Sequence, residues 1–134
     1  MNEQQIKERL RTLLENSYSN TYHYYVAAIV RCNDDKLFEG VNVETSSPAS
    51  GICAERNALY NAITNGYQKG DFKEIYIMNK TNQECFPCFV CRQALNDFCS
   101  FDTKIITYNY QGDKKSVVTI KDLCVYPFDS NNLK

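Results

Sequence analysis

The sequence predicts an α/β domain in which helices pack on a mixed sheet of about five strands. Segments with apolar residues at helical spacing alternate with short β-branched and aromatic runs, in the order α, β, β, α, β, α, β, β, α. The 134 residues suit one domain spanning 1–134, and 43% apolar residues supply its core.

The first half of the chain predicts a helix, a β-hairpin and a second helix. Residues 24–32 and 37–43 are typical of two strands joined by a polar turn, and residues 53–65 have helical spacing that ends at Gly66. We also expect Gly40 and Gly51 to occupy turns that need unusual backbone angles. The first helix, over residues 3–16, places these apolar side chains on one face: Ile6, Leu10, Leu13 and Leu14.

The second half of the chain alternates strands and helices. Residues 74–78 form a short apolar run that predicts a strand, and Pro87 opens the helix that follows. Two further strands are predicted over residues 104–110 and 116–119, and Thr119 is a candidate N-cap for a short helix that ends at Leu123.

Charge and hydropathy argue against two classes of partner. Fifteen basic and 16 acidic residues leave a net charge of −1, so no positive field is available to gather nucleic acid or anionic lipid. No apolar run approaches the roughly 18 residues of a spanning helix, and the first residues lack the order of a secretory signal. Seven cysteines, an odd number, then favour reduced thiols or metal ligands in a cytoplasmic protein over a disulfide framework.

Three cysteines stand at the starts of two predicted helices. Cys53 precedes one helix, and Cys88 and Cys91 lie in the first turn of another, with 34 residues between Cys53 and Cys88. The strand before each helix brings such helix starts to one sheet edge, where three thiolates can bind zinc and leave its fourth position for water. Glu55, two residues after Cys53, is then placed to move protons.

The charge of such a site requires compensation. Three thiolates and one Zn²⁺ sum to −1, which weakens the metal as a Lewis acid. Two helix N-termini and the side chains of Arg56 and Arg92, which directly follow the site residues, are available to donate hydrogen bonds to the sulfurs.

Two other metal sites fit the cysteine spacing. Cys85 stands three residues before Cys88, so a closed structural site with four thiolates is possible. The run from Cys85 to Cys91 is also typical of iron–sulfur ligation, although the next cysteine, Cys99, lies eight residues on and has no following proline. The remaining cysteines fall in apolar patterns and are expected in the core: Cys32, Cys99 and Cys124.

The motifs Cys53-Ala54-Glu55 and Pro87-Cys88-Phe89-Val90-Cys91 match the three-cysteine form of a pattern already known for zinc deaminases. Together with the segments 40–44, 51–56 and 91–95, they make the sequence resemble the small homotetrameric cytidine deaminases over roughly residues 5 to 133. The resemblance implies a three-layer α/β/α sandwich with a mixed five-stranded sheet.

The resemblance also implies a reaction and a set of site residues. Zinc-activated water attacks C4 of cytidine or deoxycytidine, Glu55 shuttles protons, and ammonia leaves. The ligands of the one zinc ion per subunit are Cys53, Cys88 and Cys91, with Arg56 compensating the thiolate charge. The family positions that bind the ribose hydroxyls match Asn42 and Glu44, and the position whose backbone contacts the pyrimidine matches Ala54. Tyr24 matches a further substrate-binding position. Phe128 matches an aromatic residue that closes the site of a neighbouring subunit in a homotetramer.

The sequence departs from the family pattern at four places. Tyr24 stands where the family usually has Phe, Thr45 replaces an asparagine and Pro48 replaces an aromatic residue. Phe89-Val90 replaces a small pair and adds bulk next to the metal. These departures keep a blasticidin S-type or other aminopyrimidine nucleoside deaminase open as an alternative. A polynucleotide deaminase fits less well, because its first ligand is usually His and this chain has no basic surface.

Overall fold

A mixed five-stranded sheet forms the centre of the structure, a computed structural model that describes residues 1–134. In chain order, the strands are β1 (Val26–Cys32), β2 (Leu37–Val41), β3 (Phe72–Asn79), β4 (Lys104–Tyr108) and β5 (Lys115–Thr119). Their spatial order is β2-β1-β3-β4-β5, with β3 and β4 parallel and the other neighbours antiparallel. The five predicted strands are confirmed, although β1 begins two residues later than predicted and β2 ends two residues earlier.

Four helices surround this sheet: α1 (Glu3–Leu14), α2 (Ala54–Thr64), α3 (Phe89–Phe98) and α4 (Ile120–Leu123). Thr119 caps α4 as predicted, because its side chain accepts a hydrogen bond from the backbone N–H of Asp122. None of these helices has the length and apolar character needed to cross a membrane.

Two apolar cores lie on opposite faces of the sheet. On one face, α1 buries Ile6, Leu10 and Leu14 against alternate residues of the strands. On the other face, residues of α2 and α3 pack against the complementary set of strand residues. Strand side chains alternate between the two faces, so both sides of the sheet are covered. This arrangement confirms the predicted three-layer α/β/α sandwich.

Gly40 lies inside β2, and the expectation that it occupies a turn is wrong. A Cβ atom there would lie 2.4 Å from the backbone nitrogen of Ala58 and 2.8 Å from the backbone oxygen of Ala54. The glycine therefore permits close approach of the α2 backbone to the sheet. Gly51 also has an extended rather than a left-handed backbone, with φ −80°.

The close approach at Gly40 makes a prediction about stability. The substitution Gly40→Ala places a methyl group against helix backbone that cannot rotate away, so it should lower the free energy of unfolding by about 2 kcal/mol or more. Gly70→Ala is the matched control, because its φ of +90° has a strain cost of ~1–2 kcal/mol while its added Cβ meets no atom within 4 Å. Urea unfolding measures both variants, and an equal loss in the two would contradict the packing explanation.

Candidate active site

The starts of α2 and α3 bring three cysteine side chains together. Cys53 and Cys88 are the N-cap residues of the two helices, and Cys91 lies in the first turn of α3. Their three Sγ atoms lie within 4.8 Å of one another, and those of Cys53 and Cys88 are 3.7 Å apart. Tetrahedral zinc with sulfur at about 2.3 Å requires sulfurs about 3.8 Å apart. The three thiols thus fit the donor set and spacing of a zinc ion, as the sequence predicts.

Cys85 lies outside this cluster of thiols. Its side chain lines the neighbouring cavity, and burial raises the pKa of its thiol, which favours the neutral form over the thiolate that a metal requires. The geometry therefore favours the open three-cysteine site over the closed four-cysteine site. Cys99 is buried in the core with Cys32, away from the cluster, and Cys124 packs against the same core.

The electrostatics of the cluster depend on Arg56. Its guanidinium donates a hydrogen bond to Cys53 Sγ at 3.6 Å. Hydrogen bonds from Cys91 and Arg56 lower the pKa of Cys53 to about 5, so a thiolate is stable here at neutral pH. Arg92 does not take the same role: it donates to the carbonyl oxygens of Pro87 and Leu123. These hydrogen bonds go to backbone oxygens and not to the sulfurs, which corrects the sequence expectation for this residue.

Glu55 is a buried carboxyl group beside the thiols. Its side chain is in the first turn of α2, and the residue is 6% exposed. Burial is the main cause that raises the pKa of Glu55 to about 7, and the nearby Cys53 thiolate adds to the effect. A carboxyl group with a pKa near the ambient pH both accepts and donates protons readily, as general acid–base catalysis requires.

A cavity of about 410 Å³ is lined by Glu55 and by two of the clustered cysteines, Cys53 and Cys88. This volume is in the range of small-molecule sites. Apolar side chains form more than half of its lining, and three of them are aromatic: Tyr22, Tyr24 and Phe86. The lining residues that the sequence analysis singled out are Tyr24, Asn42, Glu44, Pro48, Cys53, Ala54, Glu55, Arg56, Cys85 and Cys88.

Asn42 and Glu44 enter the cavity directly after β2. Asn42 is buried, and its amide Nδ2 donates to Glu44 Oε1 at 3.0 Å. Glu44 Oε2 accepts a second hydrogen bond from Ser19 at 2.8 Å. The sequence analysis did not identify Ser19 or its neighbour Ser17, which bonds Asn42. Their alternation as Ser-x-Ser opposite Asn-x-Glu was visible in the sequence, but the pairing of the two segments was not.

The aromatic residues named from the sequence occupy different places. Tyr24 is on the cavity wall, where burial and the neighbouring Cys85 raise the pKa of its hydroxyl. Phe128 does not line the cavity of its own chain and is 57% exposed. Phe89 and Val90 point to solvent, and Phe89 packs under the Arg92 guanidinium at 4.5 Å. The expected bulk of this pair next to the metal is therefore not observed.

Comparison with known proteins identifies the family of this site. Residues 1–108 match the family model for the cytidine and deoxycytidylate deaminase zinc-binding region. The chain belongs to this deaminase family. A cytidine deaminase from Halalkalibacterium halodurans is 30% identical over 96% of this chain and 94% of its own length. One from Mycoplasma genitalium is 34% identical over 75% of each chain.

A solved deaminase structure has the same fold. The crystal structure of cytidine deaminase from Burkholderia pseudomallei superimposes with a TM-score of 0.89 at 32% identity, and covers 96% of this chain and 100% of its own. The family assignment made from the sequence motifs is thereby confirmed, as is the deaminase fold. The three thiols near Glu55 belong to the part of the chain that the zinc-binding family model covers.

Metal content distinguishes the three-cysteine from the four-cysteine site. Cys88→Ser should abolish stoichiometric zinc binding because it removes one of three converging thiolates, whereas Cys85→Ser should retain about one zinc ion per chain. Elemental analysis after gel filtration measures both variants. Loss of zinc from Cys85→Ser would instead establish Cys85 as a ligand.

Proposed function

We propose that this deaminase hydrolyses cytidine and deoxycytidine to uridine and deoxyuridine, with release of ammonia. The observation that carries the proposal is the buried Glu55, whose pKa is raised to about 7, beside three converging thiols at the end of a cavity of ligand size. One water molecule adds to C4 of the base, the bond from C4 to the amino nitrogen breaks, and the product keeps the water oxygen.

The thiolates of Cys53, Cys88 and Cys91 would hold the zinc ion. When bound, zinc lowers the pKa of water and supplies a nucleophile at neutral pH. Glu55 takes a proton from water and delivers protons to ring nitrogen N3 and to the leaving amino group. Arg56 stabilises the Cys53 thiolate by its hydrogen bond.

The other cavity residues orient the substrate. The Ala54 backbone faces the cavity at the start of α2, next to Glu55, and is assigned to the pyrimidine. Asn42 and Glu44 lie together in the cavity wall and are assigned to the ribose hydroxyls, Glu44 directly through its carboxylate and Asn42 through its hydrogen bond to that carboxylate. Tyr24 provides an aromatic wall. These roles are assigned from the resemblance to the family, and the fact that all four residues line one cavity supports the assignment.

The charges of the cavity favour a nucleoside over a nucleotide. Arg56 is the only cationic side chain among the lining residues, and it is already bonded to Cys53. Glu44 and Glu55 both carry carboxyl groups. A phosphate group in this cavity would therefore be repelled by negative charge and would have no free cationic side chain to pair with. The blasticidin S-type alternative is not favoured, because the named relatives and structural neighbours are cytidine deaminases.

Ultraviolet spectroscopy tests the reaction, because deamination changes the chromophore of the base directly. The zinc-loaded protein should convert cytidine and deoxycytidine, and deoxycytidylate should have a kcat/KM at least ~10²-fold lower for lack of a phosphate partner. Glu55→Gln should retain zinc and lose at least ~10²-fold in kcat, the scale of general acid–base catalysis. Near-normal turnover by this variant would exclude Glu55 as the proton shuttle, and conversion of blasticidin S alone would exclude the proposed substrates.

We infer a homotetramer with shared active sites as the active form. Phe128 does not line the cavity of its own chain, and its exposure suits contact with a neighbouring subunit. Val125 and Tyr126, which are close to Phe128 in sequence, are also exposed, and their apolar surface could be buried in the same interface.

Light scattering combined with the activity assay tests this assembly. Phe128→Ala should raise the KM for cytidine several-fold, by loss of stacking worth about 1 kcal/mol, with no change in zinc content. Phe101→Ala is a suitable control, because Phe101 is similarly exposed (61%) and belongs to no part of the proposed site. A fully active monomer would contradict the shared site.

The chain would act as one functional unit in the cytoplasm, within pyrimidine salvage. All seven cysteines are free thiols in the structure, which suits a reducing compartment. The continuous sheet, to which both halves of the chain contribute strands, supports a single domain over 1–134.

A further inference from the structure

A short segment between α1 and β1 pairs with the residues that follow β2. The backbone N–H of Tyr18 donates to the carbonyl oxygen of Asn42 at 3.0 Å, and the N–H of Glu44 donates to the carbonyl oxygen of Tyr18 at 2.8 Å. The two segments run parallel at this bridge. Because side chains in extended segments alternate, Ser17 and Ser19 lie on the same side as Asn42 and Glu44.

Ser19 connects this bridge to the cavity. It is fully buried, its hydroxyl donates to Glu44 Oε2 at 2.8 Å, and its Oγ accepts from the backbone N–H of Tyr24 at 3.1 Å. A backbone N–H only donates, so the hydroxyl proton of Ser19 is directed to the carboxylate. The same hydroxyl therefore fixes both Glu44 and the backbone of the cavity residue Tyr24.

Asn42 has no hydrogen-bonding capacity left over. Its Oδ1 accepts from the Ser17 hydroxyl and from the backbone N–H of Val26, and its Nδ2 donates to Tyr24 O at 2.7 Å and to Glu44 Oε1 at 3.0 Å. An amide side chain has two donors and two main acceptor sites, and all four are in use. The Asn42 side chain thus acts on Glu44, which lines the cavity and whose two oxygens each accept one of these hydrogen bonds and keep capacity for another.

We propose that Ser19 is a positioning residue that holds the Glu44 carboxylate ready to accept hydrogen bonds from the sugar hydroxyls of the substrate, an inference that rests on the proposed deaminase function. An ionised carboxylate only accepts, so it selects ligands that present O–H donors. Ser19 and Asn42 each hold one carboxylate oxygen, which removes the rotational freedom that binding would otherwise have to restrict.

Steady-state kinetics of Ser19→Ala with two substrates tests this role. The KM for cytidine should rise about tenfold, the scale of one hydrogen bond to a charged group, with kcat within about twofold. With 2′,3′-dideoxycytidine, which lacks the ring hydroxyls at C2′ and C3′ and keeps only the 5′-hydroxyl, wild type and variant should have the same kcat/KM. An equal loss of kcat/KM on both substrates, or an unchanged KM for cytidine, would overturn the proposal.

Ser116→Ala is the matched control. Ser116 also donates to a glutamate, Glu84 Oε1 at 2.8 Å, but on β5 and outside the cavity. This variant should keep the wild-type KM for cytidine. If Ser19→Ala folds poorly in a thermal melt, Ser19→Cys fills the same space with a weaker donor and should shift KM in the same direction.

A double-mutant cycle with Glu44→Ala isolates the interaction. In that background Ser19→Ala should cause no further rise in the KM for cytidine, because the carboxylate it positions is absent. A further rise in KM as large as that in the wild-type background would show that Ser19 does not act through Glu44. Failure of wild type to deaminate cytidine would overturn the proposed function itself, whereas an active wild type with indifferent Ser19 variants would overturn only the role of Ser19.

Discussion

The site depends on how closely α2 can pack against β2. Gly40 allows the helix backbone to lie directly on the strand, and the start of the same helix carries Cys53 and Glu55. The start of α3 supplies the other two thiols, so the distance between the two helix ends sets the distance between the sulfurs. A displacement of α2 by an added methyl group at Gly40 would thus be transmitted to the three thiols, because close-packed interiors relax only partially.

Cys53 and Cys88, as N-cap residues, lie where backbone N–H groups and the helix dipole favour negative charge. Arg56 adds one full positive charge next to the Cys53 sulfur, to which its guanidinium donates a hydrogen bond. The same elements bury Glu55 beside the Cys53 thiolate, and together these effects outweigh the opposing charge of Arg56 and favour the protonated form of Glu55. One local arrangement therefore stabilises thiolates and raises the pKa of a carboxyl group a few ångströms away.

The opposite wall of the cavity is organised by hydrogen bonds rather than by charge compensation. The bridge at Tyr18 joins a loop to the end of β2, and the serines on either side of it hold Asn42 and Glu44. In the function we propose, the chemistry at the base and the recognition of the sugar are thus supported by different parts of the chain. α2 and α3 serve the first, and the segment after α1 serves the second.

Local patterns in the sequence were sufficient for the element order, the layered α/β fold and the three converging cysteines. These features depend on periodicity and on residues at helix starts, which act over a few positions. The Cys-Ala-Glu and Pro-Cys-x-x-Cys motifs also identified the family, since each combines ligand type with a helix start. Strand ends were predicted less accurately, because β-propensity alone extended β1 to Tyr24, whose N–H instead bonds Ser19.

Only the tertiary structure decided the contacts between distant segments. It placed Cys85 outside the thiol cluster, turned Arg92 toward carbonyl oxygens, gave Gly40 a packing role and paired Ser19 with Glu44. The sequence by itself determined the family, the side chains proposed for the chemistry and the helix starts that present them. Which of those side chains meet, and what holds them there, depends on how the sheet and helices pack, and no local pattern encodes that packing.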